Sequence, residues 1–366
     1  MTTVRERIAG SMFGLAYGDA LGKPTEFLKL VEITRQYGTG GPSELPEPAL
    51  VTDDTQMALA VGEGLAEVLG AGEEGTQGAL TQEALAPVWT RRFVQWAYSS
   101  DNNRAPGMTC LRACGELAEG RPWIQATIPG SKGCGANMRV TPIGLVARLS
   151  SSTRAGAAQL QAALTHGHPT GLAASELTAF ATWWLLEGMA PVDLPAALRD
   201  RANAQREVYH HAWLGDLWQR SHDASPEVFM ARGWDECLGV LDRLDAAVRA
   251  GDREADPCDA TGEGWIAEEA LATGLLCFLL HPDDAQAALS RAAATRGDSD
   301  SIAALTGAFA GAALGARAFP AGWRERIEYA DRLEAVVDAL GAGFEDGGSE
   351  DGTGSAGTGS GGGPAR

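Results

Sequence analysis

Two short segments of this 366-residue chain place pairs of aspartates among hydroxyls at points where a helix would begin. The first is Val51-Thr52-Asp53-Asp54-Thr55-Gln56-Met57, and the second is Gly297-Asp298-Ser299-Asp300-Ser301-Ile302. The plain alternative is helix capping, in which one Ser, Thr or Asp oxygen accepts free backbone N–H groups for about 1 kcal/mol. A cap needs one acceptor, however, and each segment offers four or more side-chain oxygens. Neighbouring carboxylates repel unless a cation intervenes, and hard divalent ions such as magnesium seek clusters of this kind. Either segment alone reads as a cap with solvated acids; the two together favour a metal centre.

A third segment, Gly18-Asp19-Ala20-Leu21-Gly22-Lys23-Pro24-Thr25-Glu26-Phe27, carries two more acids beside glycines. On its own it reads equally well as a helix ended by Gly22 and Pro24, with Asp19 a solvated or capping residue and Glu26 a surface acid. Further on, Pro129-Gly130-Ser131-Lys132-Gly133-Cys134-Gly135-Ala136-Asn137-Met138-Arg139 is rich in glycines that let backbone N–H groups approach a phosphate, although an ordinary loop has the same composition. Thr165-His166-Gly167-His168-Pro169 opens another helix. Either histidine would suit zinc, but no partner set at zinc spacing accompanies them. The six cysteines are scattered without a CxxC pair and read as reduced thiols filling the core.

The elements that must position these groups are helical. Alanine is abundant, runs of β-branched residues are nearly absent, and apolar residues recur at helical spacing, as in Ile8, Met12, Leu15 and Ala16 or Met57, Ala60, Val61, Leu65 and Val68. Further helices fit residues 86–98, 108–118, 175–187, 234–250, 267–280, 285–294 and 302–318, with loops expected over 38–48, 70–78, 99–107, 128–139 and 251–264. The fold class is all-α, with residues 1–342 read as a single compact helical bundle. Gly307, Gly311 and Gly315 recur on one face of the last of these helices. Each costs roughly 1 kcal/mol relative to alanine, so three in register imply close contact with another backbone. From Gly343 to Arg366 the composition collapses to small and acidic residues, and a disordered tail is expected.

The formal net charge of −19 argues against general nucleic-acid or membrane binding. The N-terminus does not read as a signal peptide, and the longest strongly apolar run, Leu271 to Leu280, is too short to span a bilayer. A cytoplasmic location follows as the expectation.

Taken in order, the Gly18–Phe27, Thr52–Thr55 and Gly297–Ser301 motifs resemble those of the ADP-ribosylglycohydrolase family, over residues 8 to about 317. The resemblance implies an all-α fold with two Mg²⁺ (or Mn²⁺) ions at the bottom of an ADP-ribose cleft. It assigns metal ligation to Thr52, Asp53 and Asp54 from one side, and to Asp298, Asp300 and Ser301 from the other. Ser301 stands where the family usually has threonine, and the hydroxyl is retained. Glu26 matches the family's mobile acidic residue and is expected to be the general acid/base. The glycine-rich loop, through Ser131, Gly133, Cys134, Gly135, Ala136 and Asn137, together with His166, is expected to bind ADP-ribose. Residues 99–109, with Asp101, Asn102 and Arg104, should border the leaving group. Some members carry an acid just before the glycine that matches Gly107; here Arg104-Ala105-Pro106 stands instead. The implied activity is hydrolysis of the bond between ADP-ribose and a modified acceptor, most naturally a protein side chain. Another ADP-ribose derivative, a modified nucleic acid or a catalytically silent binding protein remain open alternatives.

Overall fold

The computed structural model describes residues 2–71 and 79–345. Among them the regular elements are α-helices and short 3₁₀ turns, and the only β-pairing is three isolated bridges. The all-α expectation holds. Helices Met108–Ala118 and Ala267–Leu280 begin and end where the apolar spacing puts them, and others start earlier than expected: Gln82–Ala97, Pro169–Leu186, Pro226–Ala250 and Ser299–Leu314. The first three of these earlier starts have a local cause. Thr81, His168 and Ser225 accept a backbone N–H of the first turn, and Pro169 and Pro226 occupy the first helical position.

Helices Leu30–Tyr37, Ser151–Ala163, Leu194–Gln205 and Ala330–Glu345 add to the expected set. The last runs through Gly343 to Glu345, slightly past the boundary drawn from composition; the rest of the tail, 346–366, lies outside the described residues, as do 72–78 of the loop expected over 70–78. No helix among the described residues is long and apolar enough to cross a membrane.

One contact organises the centre. Helix Val4–Gly22 lies antiparallel to helix Ser299–Leu314, and each turns glycines towards the other. A Cβ on Gly10 would sit 2.6 Å from the Gly311 carbonyl oxygen, one on Gly14 2.3 Å from that of Gly307, and one on Gly18 1.9 Å from that of Ala303. Ser11 Oγ donates to the Ala308 carbonyl across the same seam at 2.9 Å. The stripe of Gly307 and Gly311 therefore meets a second glycine stripe in the first helix. At the end of the seam, a Cβ on Gly22 would fall 2.4 Å from Asp300 Cα. Backbone contact thus delivers the end of the first helix, and the turn after it, to the start of the helix carrying Asp298 and Asp300.

Candidate active site

Helix Asp53–Gly70 begins beside this junction. Thr52 is its N-cap, and its Oγ1 accepts from Asp54 N at 3.4 Å. Asp19 provides the stronger brace: its buried carboxylate accepts from Thr52 N at 2.9 Å, Thr52 Oγ1 at 2.8 Å, Thr55 N at 3.0 Å and Thr55 Oγ1 at 2.5 Å. The free N–H groups of this helix start are therefore largely satisfied from the first helix. That leaves Asp53 and Asp54 surplus to capping. Asp53 Oδ2 accepts only from Gly107 N, at 3.1 Å, and Asp54 Oδ1 is buried without a hydrogen-bond partner. Asp298, the N-cap of helix Ser299–Leu314, likewise makes no side-chain cap bond. Capping explains Thr52 and leaves the aspartates unexplained.

Glu26 sits on the turn after the first helix. Thr25 anchors that turn: its Oγ1 lies 2.7 Å from the carbonyls of Gly22 and Ala293 and 2.9 Å from Ser299 Oγ. The consequence is that oxygens of Glu26, Asp298 and Asp300 lie within 4.8 Å of one another, the one such convergence of potential metal-binding groups among the described residues. Burial and mutual repulsion raise the pKa values of these acids. Glu26 is pushed up to about 9 and Asp53 to about 7, chiefly by burial with Asp300 adding to it, while Asp54 and Asp298 are raised well above the usual carboxylate range for the same reasons. Asp19 rises to about 7, burial and Asp300 outweighing its donors. A field that penalises negative charge this strongly is relieved by a cation, and an all-oxygen donor set suits a hard divalent ion. The residues present fit a metal. They show one three-carboxylate cluster, not two separate ion sites, and that cluster includes Glu26 beside Asp298 and Asp300.

These acids line a cleft of about 340 Å³, within the range of small-molecule sites. Asp53, Asp54, Asp298, Asp300 and Ser301 are buried, while Phe27, Met108 and Trp265 form an exposed rim. A larger groove of about 680 Å³ elsewhere is lined by charged residues, several of them already paired, such as Arg206 with Asp235, and gathers no convergent acids.

The glycine-rich loop divides in two. Gly133, Cys134 and Gly135 line the cleft, with a short 3₁₀ turn over Cys134–Ala136. Space explains Gly135: a Cβ there would lie 2.8 Å from Cys110 Sγ and 3.0 Å from His166 Cε1. Ser131 pairs with Thr109 at 2.9 Å, near the wall. Ala136 and Asn137 are fully buried and are not among the residues that line the cleft. The Ala136 carbonyl accepts from Gln161 and Ser175, and Asn137 Nδ2 donates to the Ala267 carbonyl, so both fix the loop to the scaffold.

His166 lines the cleft, with Nδ1 2.8 Å from Thr165 Oγ1. Burial, helped by the Arg139 cation, holds its pKa well below the ordinary value, so the ring is neutral. Thr165 Oγ1 also accepts from Arg139 Nη2 at 2.7 Å, which fixes the threonine beside Nδ1, and the His166 Nε2 edge faces Gly133. His168 is occupied elsewhere, bonded to Arg232 Nη1 and to Thr170 N.

Of the segment expected at the leaving group, residues 105–109 line the cleft and the polar side chains before them do not. Arg104 is ion-paired to Glu328 at 2.5 Å, Asp101 Oδ2 accepts from Tyr329 Oη at 2.7 Å, and Asn102 donates to the Ala97 carbonyl.

Three contributors escaped the sequence reading. Asp19 was visible in the Gly-Asp-Ala-Leu-Gly motif, but its role needed the fold. Arg139 is fully buried, 4.4 Å above the Phe93 ring, and ties Gln161 and Thr165 to the loop. Trp265 lies just beyond the loop expected to end at Gly264, and nothing local marked it.

A family model described as ADP-ribosylglycohydrolase matches residues 1–350. An ADP-ribosyl-[dinitrogen reductase] glycohydrolase from Rhodospirillum rubrum is 26% identical over 345 residues, covering 92% of this chain and 96% of its own. ADP-ribosylhydrolase ARH3 from Bos taurus is 28% identical over 372 residues, with 91% and 92% covered. ADP-ribosylarginine hydrolase Tri1 from Serratia proteamaculans is 26% identical, with 92% of this chain and 79% of its own covered. A solved chain described as an ADP-ribosylglycohydrolase-related protein complex shares the fold, with a TM-score of 0.63 at 24% identity, over 94% of this chain and 99% of that one.

Proposed function

Because the chain belongs to the ADP-ribosylglycohydrolase family and is a hydrolase of ADP-ribose-linked glycosidic bonds, we propose that it frees ADP-ribose from a modified protein side chain. One observation carries this reading: Glu26, Asp298 and Asp300 converge in the cleft that Asp53, Asp54, the glycine-rich loop and His166 also line.

Cleavage at the anomeric carbon passes through an oxocarbenium-like transition state, which needs a proton for the leaving group and a base for water. Glu26 is the group for this proton transfer: it is the least buried acid of its cluster and stands at the cleft mouth, on a turn and not on a helix. Asp53, Asp54, Asp298 and Asp300, with the Thr52 and Ser301 hydroxyls, would hold two Mg²⁺ or Mn²⁺ ions. Such ions, when bound, orient ribose hydroxyls and acidify water. The N–H groups of Gly133 and Gly135 receive the pyrophosphate, Cys134 N being bonded to the Trp265 carbonyl, and neutral His166 turns its Nε2 edge to the ligand beside them. Residues 105–109 face the acceptor. With Arg104 held by Glu328, that wall offers backbone and uncharged side chains in place of a free charge.

The test is release of free ADP-ribose from polypeptides modified on arginine or serine, and from modified nucleotides, with magnesium or manganese present. Turnover of a modified polypeptide supports the proposal. Turnover confined to nucleotides would replace it with the nucleic-acid reading.

A further inference from the structure

Glu26 lies on a turn beside Asp298 and Asp300, so its place in the cleft depends on what holds that turn. Thr25 does so from below, through Ser299 and Ala293. On the other side the next residue, Phe27, is 70% exposed yet ordered against Trp265: the rings stack with centroids 6.2 Å apart and planes 19° from parallel. An exposed phenylalanine gains little from burial, so its contact with Trp265 is what fixes it.

Trp265 belongs to a segment that touches the site at two further points. Its carbonyl accepts from Cys134 N at 3.0 Å, and Ala267 N donates to the Lys132 carbonyl at 2.9 Å, tying the segment to both sides of the cleft-lining loop. Before it, the Glu263 carbonyl accepts from Asp298 N at 2.7 Å. Gly264, with φ of +84°, lies so close to the Asp298 helix that a Cβ would sit 2.7 Å from Ile302 Cγ1. The segment is thus bonded to the glycine-rich loop and to Asp298, and it reaches the Glu26 turn through one aromatic stack.

We infer that Trp265, through its stack with Phe27, is a positioning residue that holds the Glu26 turn over the cleft and couples it to the glycine-rich loop. This rests on the reading of Glu26 given above. Loss of either ring frees the turn without touching the acids, the loop or the seam. The coupling also runs backwards: a ligand that orders the loop steadies Glu26.

Hydrogen exchange measures the restraint without relying on turnover. The amides of Thr25, Glu26 and Leu28 are bonded within the turn, to the carbonyls of Gly22, Gly22 and Thr25, so they report its opening. In the full-length protein, Phe27→Ala and Trp265→Ala should each speed their exchange about two- to twelvefold, the population change an aromatic pair of ordinary strength controls. The double variant should go no further than the faster single, and Trp265→Phe should restore most of the protection. ADP-ribose should slow exchange of these amides in the wild type and much less in Phe27→Ala. Where turnover is assayed, kcat should fall by a similar factor, with a smaller change in KM. Unchanged exchange in both single variants, or effects that multiply in the double, would overturn the coupling. A wild type that releases no ADP-ribose from any acceptor would instead sink the functional reading, while the exchange comparison still decides the restraint.

Discussion

Replacing Gly18 by alanine adds one methyl group to a helix interior, a change that ordinarily stabilises by up to about 1 kcal/mol. Here the added Cβ would lie 1.9 Å from the Ala303 carbonyl oxygen, 2.3 Å from its carbon and 2.7 Å from Ala304 N. All three atoms are backbone, so no side chain can swing aside. Reaching an ordinary carbon–oxygen contact of about 3.3 Å requires the helices to part by roughly 1.4 Å. Parting them opens the seam from Gly10 to Gly22 and forfeits dispersion along it. Overpacking of this kind costs about 1–3 kcal/mol net, so the propensity gain is overwhelmed. Gly239→Ala is the internal control, because that glycine lies within helix Pro226–Ala250 and a Cβ there meets nothing within 4 Å. Denaturant unfolding should show Gly18→Ala destabilised by about 1–3 kcal/mol and Gly239→Ala stabilised by about 0.5–1 kcal/mol. Turnover of folded Gly18→Ala should also drop, since the displaced backbone carries Asp300. Equal stabilisation in both variants would refute the steric account of the seam.

Four further outcomes follow from the site. In chelator-treated protein, acids with raised pKa values contribute stability fully present below their unfolded values and lost as pH rises through the folded ones; the melting temperature should therefore decline from about pH 4 towards pH 9, and added Mg²⁺ or Mn²⁺ should lift and flatten the profile. A flat profile without metal would contradict the buried repulsion. Glu26→Gln should cut turnover by roughly 10²- to 10⁴-fold while ADP-ribose binding stays measurable by calorimetry, whereas Asp300→Asn should weaken both metal affinity and turnover. Asp19→Asn turns an NH₂ group towards donors of Thr52 or Thr55 and should destabilise by roughly 2 kcal/mol or more, read by denaturant unfolding. Removing residues 346–366, which contain no large apolar side chain, should leave melting temperature and turnover unchanged.

The acidic helix starts were legible because surplus carboxylates at a helix N-terminus exceed what a cap can use, a local property of Asp53, Asp54, Asp298 and Asp300. Helix Ser151–Ala163 was not, and its sequence shows why: Arg154, Gln159 and Gln161 are fully buried among alanines, so no apolar stripe stands out against a polar face. Helix Ala330–Glu345 carries a full stripe of Leu333, Val336, Val337 and Leu340, a signal present and unused. The stripe of Gly307 and Gly311 announced a close partner, but its identity depended on matching it with Gly10, Gly14 and Gly18, nearly three hundred residues away. The glycine-rich motif marks the loop and not which of its residues reach the cleft, as Gly133 does and Ala136 does not. Asp19 and Trp265 act only through partners that the fold supplies.

The seam between the first helix and the helix starting at Ser299 also sets a schedule for synthesis. A chain emerging from the ribosome presents Gly10, Gly14 and Gly18 nearly three hundred residues before their docking surface. Until residues near Gly311 are out, the first helix has no backbone to lie against, and Glu26 has neither Ser299 nor Trp265 to hold its turn. The acids can assemble only once nearly the whole helical body exists, so truncated or nascent chains carry Asp19, Glu26, Asp53 and Asp54 without a catalytic centre. Such non-local pairing is slow to form and leaves the glycine-striped first helix exposed in the meantime. Late closure of that seam is the step at which this protein becomes an enzyme.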